Sequence, residues 1–314
     1  MPANLPATIK FASSAWGIVK AIGPFFITQS AKASEAYAQH QMRLIQVEAC
    51  KELMIGEIQT MNEVRQKLMG KYYESPDEER FRIKRDLLDL ERDIRRLGIY
   101  QKALEHLPKE EDSQPTPKPA DTPVLEISSS WQDRFDEIAR LQNEVWRQEL
   151  LSRAMALEAQ SPGTISPRAL WFIGTVDDRI FHAFASLIDI CPMIGGRYII
   201  PNHQNFFERI LPGCVLGADF RLGNATFQLN ELGILGDLFT SARKFHVDAI
   251  IRAAYGTKFC TLKIKQEYPL NGILLTPLGD TIASLYDPTP NDLGLEIFSE
   301  WFKSINPEIA EIQQ

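Results

Sequence analysis

The sequence predicts a mainly α-helical protein with a smaller α+β part towards its C-terminal end. Apolar residues recur every three or four positions through most of the first 190 residues, which is typical of amphipathic helices. Short apolar or alternating runs, typical of strands, appear only after residue 192. We therefore expect an N-terminal antiparallel helical hairpin, then a helical bundle, then a small winged-helix-like α+β module.

Composition and charge narrow the class of protein. With 44% hydrophobic and 24% charged residues, the 314-residue chain has an ordinary globular composition and is long enough for two domains. Its net charge of −7 repels nucleic acid, so a nucleic-acid site requires a local basic patch. The four cysteines lack a short paired spacing and are interpreted as free thiols. We expect a cytoplasmic protein.

The first 34 residues contain three lysines and no acidic residue. Trp16, Phe25 and Phe26 belong to an apolar stretch that is too short, and too interrupted by Lys20 and Pro24, to span a bilayer. Two interpretations remain open. The stretch packs against protein, either its own helices or a second subunit, or it contacts the inner membrane peripherally beside its lysines. We favour packing against protein, with membrane contact as a conditional event.

Two long amphipathic segments follow, one over residues 33–69 and one that begins near Ser75, Pro76 and Glu78 with the signature of a capping box. The short turn between them predicts an antiparallel, coiled-coil-like hairpin that could bind a protein partner or a second copy. The mixed charges on its outer faces favour a solvated surface over a nucleic-acid site. The second segment repeats its apolar residues with heptad spacing at Ile83, Leu87, Leu90, Ile94, Leu97 and Leu104.

Proline and charged residues crowd the stretch after the hairpin, which favours extended chain. This stretch predicts a linker between two modules. The predicted boundaries are residues 1–107 for the N-terminal segment and hairpin, 108–127 for the linker, 128–192 for the bundle and 193–314 for the α+β module.

A short corner joins two helices of the predicted bundle. Pro162 and Gly163 end the first helix, and Ser166 before Pro167 caps the next one. Glu158 and Arg168 flank this corner, and an arginine can hold a carboxylate through two hydrogen bonds. We expect the pair to form a structural clamp. The alternative is that Glu158 is a catalytic acid.

The corner resembles a bacterial domain-of-unknown-function family, the one numbered 2806. The resemblance covers roughly residues 125–285, with Leu151 at a position where the family usually has Trp. It implies a helical fold and a place among helical factors encoded in mobile and host-defence regions. We therefore expect a non-enzymatic effector or regulator, of the abortive-infection type in phage defence, without a cofactor. The residues that carry the resemblance are Glu158, Pro162, Gly163, Ser166, Arg168 and Leu170.

The C-terminal part suggests a different function. Residues 259–265 and 272–275 predict a β-hairpin, and Thr276 can cap a helix after it, which together resemble a winged helix. Residues 241–265 carry six basic residues against Asp248 alone, and such a patch can contact phosphates, offset the acidic bundle, or bind a protein. The alternative function is therefore a nucleic-acid-binding transcriptional regulator. The six basic residues are Arg243, Lys244, Arg252, Lys258, Lys263 and Lys265.

Histidines and cysteines show no metal-binding spacing, so we expect no metal site. The glycines near residues 195 and 213 are too irregular for a phosphate-binding loop and predict turns.

Overall fold

The computed structural model describes residues 33–107, 127–201, 222–236, 243–270, 272–305 and 310–313. The chain forms two compact units, one up to Gly174 and one from Thr175. Helices dominate, and the second unit carries a small antiparallel sheet. This confirms the predicted mainly α fold with a C-terminal α+β part.

The first unit contains the predicted hairpin. Its two long helices are joined by Ser75 and Pro76 alone and pack against each other, which confirms the antiparallel pair. The predicted Ser75 cap is wrong: the Ser75 N–H still bonds to the carbonyl of Lys71 at the end of the first helix, and Pro76 occupies the N-cap position without a side-chain cap. The helices of this unit are α1 (Ala33–Glu74), α2 (Asp77–Glu105), α3 (Ser129–Leu141), α4 (Val145–Gln160) and α5 (Pro167–Thr175).

The C-terminal half of α2 packs against α3 and α4 as well as α1. Ile99 and Tyr100 are buried there, and the Tyr100 ring lies 5.4 Å from the fully buried ring of Phe135. The hairpin and the helices α3 and α4 therefore belong to one unit, because α2 has a second apolar face beside the heptad face that packs on α1. The first compact unit ends at Gly174. Residues 108–126 of the predicted linker lie outside the described residues, so the predicted domain boundaries stay a prediction.

The second unit is built around a six-stranded antiparallel sheet in the order β7-β2-β1-β4-β5-β8, with β3 and β6 paired separately. Its helices are α6 (Asp178–Ile190), α7 (Leu222–Glu231), α8 (Pro277–Leu285) and α9 (Asp292–Ser304). Its strands are β1 (Met193–Ile194), β2 (Arg197–Pro201), β3 (Arg243–Phe245), β4 (Ile250–Tyr255), β5 (Lys258–Ile264), β6 (Tyr268–Leu270), β7 (Gly272–Leu274) and β8 (Ala310–Gln313).

The predicted pairing of residues 259–265 with 272–275 is wrong. β5 pairs with β4 through a tight turn in which Gly256 has a φ of +55°, and β7 pairs with β2. A two-residue turn with a left-handed glycine matches strand twist, so the local hairpin forms across Gly256 instead. The winged-helix-like arrangement, which depended on the other hairpin, is not confirmed.

The inner face of the sheet holds the core of the second unit. Ile251, Ala253 and Tyr255 of β4 alternate inward and pack with Phe298 and Trp301 of α9. The alternate residues of β4 and β5 point away from this core and form the outer face of the sheet. No helix among the described residues is long and apolar enough to cross a membrane.

Candidate nucleic-acid interface

The outer face of the β4–β5 hairpin is open to solvent. Ile250 lies opposite Lys263, Arg252 opposite Thr261, and Ala254 opposite Phe259. Paired residues of an antiparallel ladder share a face, so these six side chains form one surface. Ile250 is 74% exposed and Phe259 is 59% exposed. Two large apolar side chains therefore lie in water beside two cations.

Arg252 and Phe259 contact each other across the hairpin. The Arg252 guanidinium carbon lies 5.2 Å from the centre of the Phe259 ring, within the range of a cation–π contact. On the other side of β5, the strand register places Glu311 of β8 opposite Lys263. The ring thus fixes one positive charge beside an exposed aromatic surface, and Lys263 adds a second charge on the same face.

This surface continues across the sheet. Met193 of β1 lies opposite both Ala254 of β4 and Tyr198 of β2. Phe259, Ala254, Met193 and Tyr198 therefore stand side by side on four adjacent strands. We call these four residues the outer row. With strands about 4.8 Å apart, the outer row is about 14 Å long.

A pocket of about 380 Å³ adjoins the outer row at its β2 end. The Gly195–Gly196 turn, in which both residues have positive φ, brings Arg197 to its wall. Arg197 donates hydrogen bonds to the carboxylate of Asp280 and to the carbonyl of Leu275. The volume is in the range of small-molecule sites. The lining includes Met193, Arg197, Tyr198, Asp280, Ser284 and Tyr286.

A hydrogen-bond network holds this wall of the pocket in place. The Tyr286 hydroxyl donates to the Asp189 carboxylate at 3.0 Å, and the Thr289 N–H donates to it at 2.7 Å. Burial, reinforced by the negative charge of Asp189, raises the pKa of Tyr286 well above its usual value. The hydroxyl therefore stays protonated and acts as a fixed donor that ties α6 to the end of α8.

The six predicted basic residues divide between two places. Arg252 and Lys263 lie on the outer face, while Lys258 and Lys265 are exposed at the two ends of β5. Lys244 belongs to the separate β3–β6 pair, where its ammonium lies 3.7 Å from the Glu267 carboxylate, and Arg243 belongs to the same strand. The structure thus gathers four of the six on one hairpin.

Sequence reasoning missed the uncharged part of this surface. Met193 and Tyr198 come more than 50 residues before β4, and only the strand register places them beside Phe259. The alternation of β5 was visible in the sequence, but its neighbours were not.

The corner in the first unit has a different geometry from the predicted clamp. Glu158 is buried, and its two carboxylate oxygens accept from the N–H groups of Gly163 at 2.7 Å and Ile165 at 2.8 Å. Arg168 is exposed, so the predicted Glu158–Arg168 pair is wrong. The corner turns its own backbone donors towards Glu158, while Ser166 begins a helix that points Arg168 outward. With both oxygens bonded to backbone, Glu158 is a clamp on the corner and not an accessible acid.

The buried arginine of this region is Arg147. Its Nη1 donates to the carbonyl of Ile173 at 2.6 Å, and its Nε lies 3.3 Å from the carboxylate of Glu144. A cation that bonds the last turn of α5 also opposes the negative end of that helix. The sequence pattern of the corner did not point to this contact.

The remaining predicted site residues are in the N-terminal segment. Trp16, Phe25 and Phe26 lie outside the described residues, so their contact with lipid or protein stays a prediction. Within the described ranges no three His, Cys, Asp or Glu residues are grouped as a metal site would require. Cys50, Cys191 and Cys260 are free and buried.

Comparison with known proteins identifies a family for the chain. No curated protein and no solved structure matches the chain. A family model described as "Protein of unknown function (DUF2806)" matches residues 90–293, which include the corner, α6 and the β4–β5 hairpin. Since this match covers well over half of the chain, the protein belongs to the DUF2806 family of proteins of unknown function.

Proposed function

We propose that this protein is a non-enzymatic cytoplasmic regulator that binds nucleic acid through the outer face of the β4–β5 hairpin. The observation that carries the proposal is the exposed Phe259 ring with the Arg252 guanidinium fixed over it and Lys263 on the same face. Aromatic rings beside cations are the chemistry that proteins use to hold nucleotide bases and phosphates together.

The pocket groups support binding more than catalysis. Arg197 and Asp280 are paired with each other, and the raised pKa of Tyr286, caused by burial and Asp189, keeps its hydroxyl from acting as a base near neutral pH. Cys191 does not line the pocket; it is buried, and burial raises the pKa of its thiol, which disfavours the nucleophilic thiolate. The paired Arg197 and Asp280 and the protonated Tyr286 therefore suit a pocket that recognises a ligand.

The test is nucleic-acid binding measured by fluorescence anisotropy at several salt concentrations. Replacing Arg252 and Lys263 by Gln should weaken binding and reduce the slope of log K against log salt by about 2, because each phosphate contact contributes about 1. The matched control is Lys67→Gln with Lys71→Gln, which removes two exposed charges from α1. An unmodified protein that binds no nucleic acid at low salt would remove the proposal.

A second candidate function is supported by the hairpin of α1 and α2. On the side of the Ser75–Pro76 turn, Phe81 is 79% exposed, Tyr73 is 69% exposed and Leu88 is 45% exposed. Large apolar side chains left in water on one element are typical of contact surfaces. We infer an effector whose hairpin binds a protein partner or a second copy.

The proposal also includes a cellular location and a role in phage defence. Cytoplasmic residence with conditional contact of residues 1–34 with the inner membrane is tested by flotation with anionic liposomes, where binding that falls with salt supports membrane contact. A role in phage defence is tested by genomic neighbours, since a defence effector should be encoded among phage-resistance genes.

A further inference from the structure

The outer row and the pocket lie next to each other and share two residues. Met193 and Tyr198 belong to the outer row and also line the pocket. A ligand that follows the outer row from Phe259 therefore reaches the pocket without leaving the surface. A flat, repetitive ligand suits this surface, because the outer row presents a ring, a small residue, a flexible thioether and a second ring.

We propose that the outer row and the adjoining pocket bind single-stranded nucleic acid, with one base stacked on Phe259 and a nearby base inserted in the pocket beside Tyr198. This inference deepens the proposed function and rests on it, because it names the form of nucleic acid that the same face recognises. The geometry that carries it is the strand register from Phe259 to Tyr198 and the position of the pocket at the end of that register.

The shape of the surface favours a single strand over a duplex. Bases in a duplex are stacked inside, and the flat part of the sheet face, from Phe259 to Met193, reaches only its phosphates. An unpaired strand presents its bases to aromatic side chains and its phosphates to flanking cations. Ala254 between Phe259 and Met193 has no side chain that would obstruct a base lying along the row.

The pocket offers groups suited to the edge of a base. Arg197 holds Asp280 in position, and the Ser284 hydroxyl donates to the carbonyl of Thr281, which leaves its oxygen available as an acceptor. The volume of about 380 Å³ accommodates a base and its sugar. Tyr198 supplies a ring to the lining of the pocket and belongs to the row that begins at Phe259.

The first experiment compares Phe259→Ala with Phe227→Ala by fluorescence anisotropy. Phe227 is a matched control because it is 55% exposed but belongs to α7 and not to the strands of the outer row. The probes are an RNA strand and a DNA strand of about 12 nucleotides and the corresponding DNA duplex. Phe259→Ala should lower single-strand affinity about 5- to 150-fold, the effect of losing one base–aromatic stack, while Phe227→Ala leaves it unchanged.

The second experiment blocks the pocket by a substitution on α8, without changing any residue of the sheet. Ser284→Phe fills it from the exposed side of α8, whereas Ser284→Ala removes the hydroxyl and keeps the space. Ser284→Phe should weaken single-strand binding and Ser284→Ala should retain most of it, with unchanged melting temperatures for both variants. Equal binding by Ser284→Phe and the unmodified protein overturns the inserted base.

The outcomes separate this inference from the proposed function. Equal affinity for duplex and single strand, or unchanged binding by Phe259→Ala, overturns the inference and leaves nucleic-acid binding standing. Absence of binding to every probe overturns both. Tighter binding to either single strand than to the duplex supports the inference, and the stronger of the RNA and DNA arms identifies the source of the strand through the ribose 2′-hydroxyl.

Discussion

The corner after α4 and the outer face of the β4–β5 hairpin use polar side chains in opposite ways. In the corner, the Glu158 carboxylate bonds only to backbone donors of its own chain and is 2% exposed. On the sheet, Arg252 contacts an aromatic ring that is itself open to water. The difference shows that the corner, which has the more distinctive sequence, holds the fold, while the plainer strand pair exposes the surface that we propose for binding.

The largest effect should come from breaking the corner. Glu158→Ala leaves the N–H groups of Gly163 and Ile165 without an acceptor, and each such loss costs about 1–3 kcal/mol. The free energy of unfolding should therefore fall by about 2–6 kcal/mol. Glu158→Gln keeps one acceptor oxygen and should lie between this variant and the unmodified protein. Urea denaturation followed by circular dichroism measures both.

Arg168→Ala is the matched control for the corner. Arg168 is exposed, so its removal should change the free energy of unfolding by no more than about 0.5 kcal/mol. A large loss from Arg168→Ala, together with a small one from Glu158→Ala, would contradict the contacts described for the corner.

A second comparison lies within α2 and has a smaller expected effect. Leu97 is 1% exposed, and Leu97→Ala should lower the free energy of unfolding by about 2–5 kcal/mol. The double variant Phe81→Ser with Leu88→Ser, in the N-terminal half of the same helix, should change the free energy of unfolding by no more than about 0.5 kcal/mol. The double variant should instead lose self-association, measured by size-exclusion chromatography with light scattering. An unmodified protein that remains monomeric at every concentration would contradict binding of a second copy.

Local signals in the sequence were sufficient for several elements. Ser166 and Thr276 each accept a hydrogen bond from the first turn of the helix that they were predicted to begin. An N-cap hydrogen bond joins residues two or three positions apart, so the local sequence is sufficient to predict it. The two long helices of the hairpin were predictable for the same reason, because their apolar period is local.

Elements that depend on distant partners were not predictable. β7 pairs with β2, about 70 residues earlier, and no property of residues 272–274 selects that neighbour over β5. The basic residues of the candidate site were visible in the sequence, but Met193 and Tyr198 join them only through the sheet. Arg168 shows the same limit, since its spacing from Glu158 did not reveal that backbone donors already fill the carboxylate.

The smallest expected effect concerns a half-buried carboxylate in the first unit. Its polar contacts are intermediate between those of the buried Glu158 and those of the exposed Arg252. Asp136 of α3 accepts a hydrogen bond from the Tyr100 hydroxyl at 2.6 Å and lies 3.5 Å from the Arg96 guanidinium. Burial raises the pKa of Asp136 above the ordinary value of 3.8, and this effect exceeds the lowering by Tyr100 and Arg96. The folded state therefore binds the proton more tightly than the unfolded state. The resulting stabilisation is fully present below pH 3.8 and is lost as the pH rises through the raised pKa.

Asp136→Asn removes this titration, so the free energy of unfolding of the unmodified protein, relative to the variant, should fall as the pH rises from about 3.5 towards 7 and then stay level. Urea denaturation across that range measures the difference. Glu137→Gln, which removes an exposed carboxylate from the next position of α3, is the matched control. A relative stability that rises with pH would show that the hydrogen bond from Tyr100 and the charge of Arg96 outweigh burial. Asp136 would then resemble the fully satisfied Glu158 more closely than an incompletely compensated buried charge.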